Sequence, residues 1–306
     1  MTPAHTDAAP TALTIAADGG HEAVIAPVGA MLCSYRVAGR DAVVPFEPGT
    51  MPPAFNGAVL APWPNRLRDG RYAWHGSTHQ LELNDGDRHN ALHGLVFDET
   101  WTVVSRSPDT VSLGLDVPVR PGWPFALHLV TAYSVGADGL TIEVVATNTG
   151  TSALPYGVGF HPWLATGGAS LDDCTIQVDA PTHIVADDRL LPVRPEPVDG
   201  TPYDLRTATS LAGLDLDDAW DDAAFDADGR SLGRLRCPDG HAVTVWMEAP
   251  LACWQVCSGD HVASLRRVGL AVEPMTCLAD AFNTGHRLIT LAPGATHTVR
   301  WGIQVA

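Results

Sequence analysis

Apolar and polar residues alternate with a period of two along much of this chain, which is the signature of half-buried β-strands. Residues 126–135 and 140–148 are both rich in β-branched and aromatic residues. Gly136-Ala137-Asp138-Gly139 separates them and predicts a hairpin. Shorter runs of the same kind fall at 111–117, 175–178, 242–247 and 298–305. In the last, Val299, Trp301, Ile303 and Val305 share one face, while Thr298, Arg300 and Gly302 share the other. Helical periodicity is scarce. The best candidate, 215–225, is short and too acidic to form a convincing apolar stripe. With 29 Gly and 24 Pro as punctuation and no internal repeat, the pattern predicts an all-β chain. We expect a single large antiparallel β-sandwich over residues 11–306, with long loops carrying the site and residues 1–10 as a flexible tail.

Composition narrows the functional classes. A chain of 306 residues, 45% of them hydrophobic, can bury a sizeable core. No apolar run approaches the roughly 20 residues that span a bilayer. The first ten residues lack the basic start and apolar core of a signal peptide, so a cytoplasmic protein without membrane contact is expected. A net charge of −17 argues against nucleic acid as a partner, because that needs a basic face. All 18 basic residues are arginine, which removes Schiff-base, pyridoxal phosphate and P-loop lysine chemistry. The six cysteines show no CxxC pair or zinc-finger spacing, and reduced thiols are expected. Cys253 and Cys257, four apart, would share one face of a strand.

Three segments place proton-transfer groups where a solvated charge would be out of place. Leu154-Pro155-Tyr156-Gly157-Val158-Gly159-Phe160-His161-Pro162-Trp163 holds an imidazole in an apolar, Gly/Pro-shaped run. Ala271-Val272-Glu273-Pro274-Met275-Thr276-Cys277 holds a carboxylate in the same kind of setting. Asn90-Ala91-Leu92-His93-Gly94-Leu95 adds a second imidazole, after the turn signal Asn84-Asp85-Gly86-Asp87. Burying Glu273 without a partner would cost several kcal/mol. It is therefore either an ion-pair member, with Arg266 or Arg267 as the nearest partners in sequence, or a general base. Trp163 offers an aromatic face of the kind that packs on sugar rings. In Asn65-Arg66-Leu67-Arg68 an extended backbone would turn both arginines the same way, and Arg66 beside Asn65 makes a donor-rich clamp.

Pro64-Asn65-Arg66, Asn90-Ala91-Leu92-His93-Gly94, Gly159-Phe160-His161-Pro162-Trp163 and Val272-Glu273-Pro274-Met275-Thr276, in this order and spacing, resemble the aldose 1-epimerase (galactose mutarotase) family. The likeness runs from about Asn56 to the C-terminus, and the four motifs in order form a strong signal. It implies a galactose mutarotase-like β-supersandwich and anomer interconversion of a free aldohexose. It further implies His161 as general acid and Glu273 as general base. Asn65, Arg66 and His93 would bind the sugar, Trp163 would line the pocket, and Asp217 and Gln255 would supply a binding carboxylate and amide. Neither metal, nucleotide nor covalent intermediate is implied, so no cofactor is expected.

Two departures from the family stand out, both placed to reshape the pocket wall. Leu95 replaces a second glycine after Leu92-His93-Gly94, and Pro162 follows His161. Alternatives are a hexose-6-phosphate epimerase using Arg66, Arg68 and Arg71, or a non-catalytic sugar-binding protein on the same scaffold. A metal-dependent hydrolase built on His93, His161 and Asp217 matches no ligand motif. A monomer and a homodimer are equally compatible with the sequence.

Overall fold

The structure is a computed structural model describing residues 11–306; the tail expected at 1–10 lies outside the described residues. Strands Leu127–Gly136 and Gly139–Asn148 form the expected hairpin, closed over Ala137-Asp138 with Gly136 opposite Gly139. Along the first strand every second residue is buried, from Leu127 through Tyr133 to Val135, as the alternation requires. This hairpin supplies the third and fourth strands of a nine-stranded sheet. Its strands run Thr102–Arg106, Thr110–Val117, Leu127–Gly136, Gly139–Asn148, Thr296–Val305, Ala242–Glu248, Arg230–Arg236, Thr175–Val178 and Thr209–Ser210. The runs expected at 111–117, 175–178, 242–247 and 298–305 are all in it.

An eight-stranded sheet faces it, with order Pro192–Pro197, Thr182–Ala186, Asp217–Asp221, Cys253–Cys257, Gly269–Met275, Gly159–Phe160 and Val59–Leu60. Its eighth strand, Trp163–Ala165, also pairs with Gly269–Met275. The two sheets touch directly. Trp254 Nε1 donates to Ser231 Oγ at 3.1 Å, and a Cβ on Gly233 would lie 2.5 Å from Val272. Trp254, Val256, Leu270 and Val272 therefore project into the main core, and the all-β sandwich is what the chain forms. Among the described residues the one α-helix is the single turn Ala281–Thr284.

Residues 215–225 do not make a helix. Their centre is the strand Asp217–Asp221, in which Trp220 enters the core. Asp217 and Asp221 lie on the side of that strand away from the core, while Asp218 shares the side of Trp220 and its Oδ1 lies 2.9 Å from His183 Nε2.

All seven residues of Gly269–Met275 are buried, although alternate ones point away from the sandwich core. The outer face is covered by irregular segments, and one of them carries His93. There the chain turns through two left-handed residues, His93 at φ 63° and Gly94 at φ 78°. Gly94 forms an isolated parallel bridge with Ala61. A Cβ on Gly94 would stand 2.0 Å from the Ala61 carbonyl oxygen. Backbone strain and this collision act together, so Gly94→Ala is expected to destabilise the fold by about 2 kcal/mol or more. Urea unfolding reads the change, and an unaltered midpoint would show that the segment adapts.

Candidate active site

The register of the eight-stranded sheet predicts the central contact of the site. Gly159 pairs with Met275 and Trp163 pairs with Ala271, so the same antiparallel alignment sets residue 161 opposite residue 273. Pro162 interrupts the strand between them, and its carbonyl still accepts from Val272 N–H at 3.2 Å. His161 is held by its N–H donating to Ala58 O at 3.1 Å and by its carbonyl accepting from Gly57 N–H at 2.9 Å. The outcome is His161 Nε2 at 3.4 Å from Glu273 Oε1, with the two residues 6% and 2% exposed. His161 Nδ1 and Glu273 Oε2 are also buried, and neither has a hydrogen-bond partner among the described residues.

Neighbouring strands extend this row on the same face. Gln255 is the cross-strand partner of Glu273, and Asp217 that of Cys257. A chain of polar contacts crosses the floor. Asp85 Oδ2 accepts from Arg66 Nε at 2.9 Å, and Asn65 Oδ1 accepts from Arg66 at 3.2 Å. Asn65 Nδ2 then donates to Gln255 Oε1 at 3.2 Å, and Gln255 Nε2 to Asp217 Oδ1 at 2.8 Å. Each polar group on this floor is oriented by the next, which fixes the pocket's donors and acceptors in advance.

His93 closes the opposite wall, with its ring centroid 5.3 Å from that of His161 and packed on Phe55 at 4.6 Å. Asn65 N–H donates to His93 Nδ1 at 3.2 Å, so the neutral ring carries its proton on Nε2. Trp163 lies parallel to His161, with ring centroids 6.0 Å apart.

Asn65, Arg66, His93, His161, Trp163, Asp217, Gln255 and Glu273 thus all line one cavity of about 180 Å³. The sequence reading omitted Asp85, Cys257 and His261, which line it too. Asp85 belongs to the turn noted before His93, but its pairing with Arg66 has no local signature. Three of the readings offered by the sequence do not hold. Arg267 does not pair with Glu273; it bonds Asp260 at 3.1 Å and Asp172 at 2.7 Å. Leu95 lines a neighbouring groove with Trp63 and Phe97 instead of this cavity, so that departure leaves the site wall untouched. The proposed arginine cluster is not gathered either. Of its three members only Arg66 lines the cavity, and Arg68 is engaged by Asp280 at 3.2 Å.

Burial controls the protonation of the pair. It pushes His161 down to about 3, with Arg66 and His261 adding to the effect, and it pushes Glu273 well above the usual carboxylate range, reinforced by Asp217. His93 is driven well below its ordinary value by burial, and then by His161 and Arg66. Desolvation therefore favours the neutral tautomer of the pair at rest over the charged one, in which Glu273 is ionised and His161 protonated. Both tautomers contain a single proton, so the two states interconvert without exchange with solvent.

A sequence model of the family described as aldose 1-epimerase matches residues 11–304. A protein of Escherichia coli (strain K12), described as uncharacterized protein YihR, is 34% identical over 295 residues, covering 94% of this chain and 91% of its own. Among solved structures, the GalM/aldose epimerase homologue from C. elegans superposes with a TM-score of 0.86 at 19% identity, covering 97% of this chain and 98% of that one. Galactose 1-epimerase from Lactobacillus acidophilus gives a TM-score of 0.78 at 21% identity, covering 96% and 94%. These two likenesses bear on the fold.

Proposed function

The chain belongs to the aldose 1-epimerase family, and on that footing we propose that it interconverts the α and β anomers of a free aldohexose by acid–base opening and closing of the ring. Residues 11–306 would act as one catalytic domain, since a single apolar cluster includes residues from Leu13 to Ile303. The observation that carries the reading is the buried His161–Glu273 pair, at 3.4 Å, with one unpartnered polar atom on each residue. A binding protein gains nothing from such a pair, whereas ring opening needs both of its functions.

Opening the hemiacetal removes a proton from the C1 hydroxyl and delivers one to the ring oxygen. Glu273 takes the first and His161 gives the second. The burial that disfavours charge at rest serves this step, because a depressed imidazole is a strong acid and a raised carboxylate a strong base. Sugar hydroxyls reaching His161 Nδ1 and Glu273 Oε2 would stabilise the charged tautomer. Ring opening then neutralises both groups. Rotation about C1–C2 presents the other face of the aldehyde, and reclosure returns each proton to its origin. His93, neutral with its proton on Nε2, acts as a hydrogen-bond donor to the sugar and not as the acid. Arg66, Asn65, Gln255 and Asp217 hold hydroxyls in register, and Trp163 supplies an apolar face.

Polarimetry on freshly dissolved α-D-glucose and α-D-galactose tests this reading. Catalytic amounts of protein are expected to speed relaxation to an unchanged endpoint. If neither sugar responds while both bind, the protein is a sugar binder and the proposal falls.

A further inference from the structure

At the mouth of the same cavity, three side chains absent from the acid–base machinery or only partly used by it converge. Asp217 and Cys257 are direct cross-strand partners, and His261 follows four residues after Cys257, brought back over the pocket by Gly259 in a left-handed turn. The returning loop is pinned: Ser258 Oγ donates to Asp260 Oδ2 at 2.5 Å, and Arg267 donates to the same oxygen at 3.1 Å. One oxygen of Asp217 is occupied by Gln255, and the other, Oδ2, lies 3.9 Å from His261 Nε2. The Cys257 sulfur completes a triangle whose ligand atoms all lie within 4.8 Å of one another.

We propose that Asp217, Cys257 and His261 form a binding site for a borderline-soft divalent cation of the zinc class, and that occupancy blocks sugar turnover. A thiolate, an imidazole and a carboxylate together select Zn²⁺ or Co²⁺ over Mg²⁺ and Ca²⁺, which favour oxygen ligands. Metal–ligand bonds of about 2.0–2.3 Å imply ligand atoms somewhat closer than those here, a closure of roughly 1 Å that the partly exposed His261 can supply. Coordination breaks the Cys257 S–H bond, forms the metal–sulfur bond, displaces metal-bound water and releases the proton to solvent. The site is inhibitory because it withdraws Asp217 from the sugar and sets a dication over the pocket. That half of the inference rests on the function proposed above; the binding half does not.

Co²⁺ titration of the metal-free protein separates the halves. The expected result is a thiolate-to-cobalt charge-transfer band in the near ultraviolet that saturates at one equivalent. It should disappear in Cys257→Ala and weaken at least tenfold in affinity in His261→Ala, whose side chain is 43% exposed and whose loss leaves the fold standing. The absence of the band, or its persistence in both variants, overturns the site. Zn²⁺ should then suppress anomerisation by wild type, reversibly on chelation, and act at least tenfold more weakly on His261→Ala. Charge-transfer binding with undiminished turnover overturns the inhibitory role, whereas a protein inactive without metal overturns the proposed function and leaves the binding result intact.

Discussion

Glu273→Gln is expected to lower kcat by about 10²–10⁴-fold while the protein keeps its fold and still binds sugar. The amide preserves the shape of the side chain but cannot take the C1 hydroxyl proton. Because Glu273 is buried and its carboxyl lies well above the ordinary range, folding near neutral pH requires it to take up a proton, a cost that the neutral amide avoids without opening a cavity. The unfolding midpoint should therefore be unchanged or raised. Initial rates from polarimetry, with the midpoint measured on the same preparation, check the two halves together. A well-folded variant with full turnover would remove Glu273 from the base role.

His161→Asn is expected to show a loss of similar size, again about 10²–10⁴-fold in kcat. Asparagine can occupy the position and donate a hydrogen bond, but it cannot give up a proton to the ring oxygen. The effect should fall on kcat more than on KM, since Asn65, Arg66, Gln255 and Asp217 still hold the hydroxyls. The variant also decides between the two histidines. His93 is locked as a neutral donor by the Asn65 N–H at 3.2 Å. If His161→Asn turns over normally, the acid is His93 and the protonation scheme is wrong.

Much of the sandwich was legible because its strands bury one face against the other sheet. The hairpin around Ala137-Asp138 shows the clean alternation that such burial imposes. The strand Asp217–Asp221 was not legible for the converse reason. Its outer side faces a polar pocket, so Asp217 and its neighbours read as solvated acids, and only Trp220 marks the core side. The same contrast governs the site. His93, His161 and Glu273 stand out in sequence because each is a titratable group in an apolar run. Cys257 and His261 do not, since their role depends on a pairing between residues 217 and 257 that local pattern does not encode. Proximity in sequence also misled: Arg267 lies six residues from Glu273 but serves the loop at Asp260. Protonation was the least legible property, because it depends on how fully the covering segments exclude water.

The pH dependence of kcat/KM for the wild-type protein tests the shared-proton pair most directly, once the spontaneous rate has been subtracted at each pH. The active state contains one proton between His161 and Glu273. It gains a second only as pH falls through the depressed value of His161, about 3, and loses its last as pH rises through the raised value of Glu273. The account predicts a flat profile from about pH 5 to about pH 7. A decline centred on the ordinary histidine value of 6.5, or on the ordinary glutamate value of 4.5, would mean that the groups titrate as solvated side chains, and would contradict it.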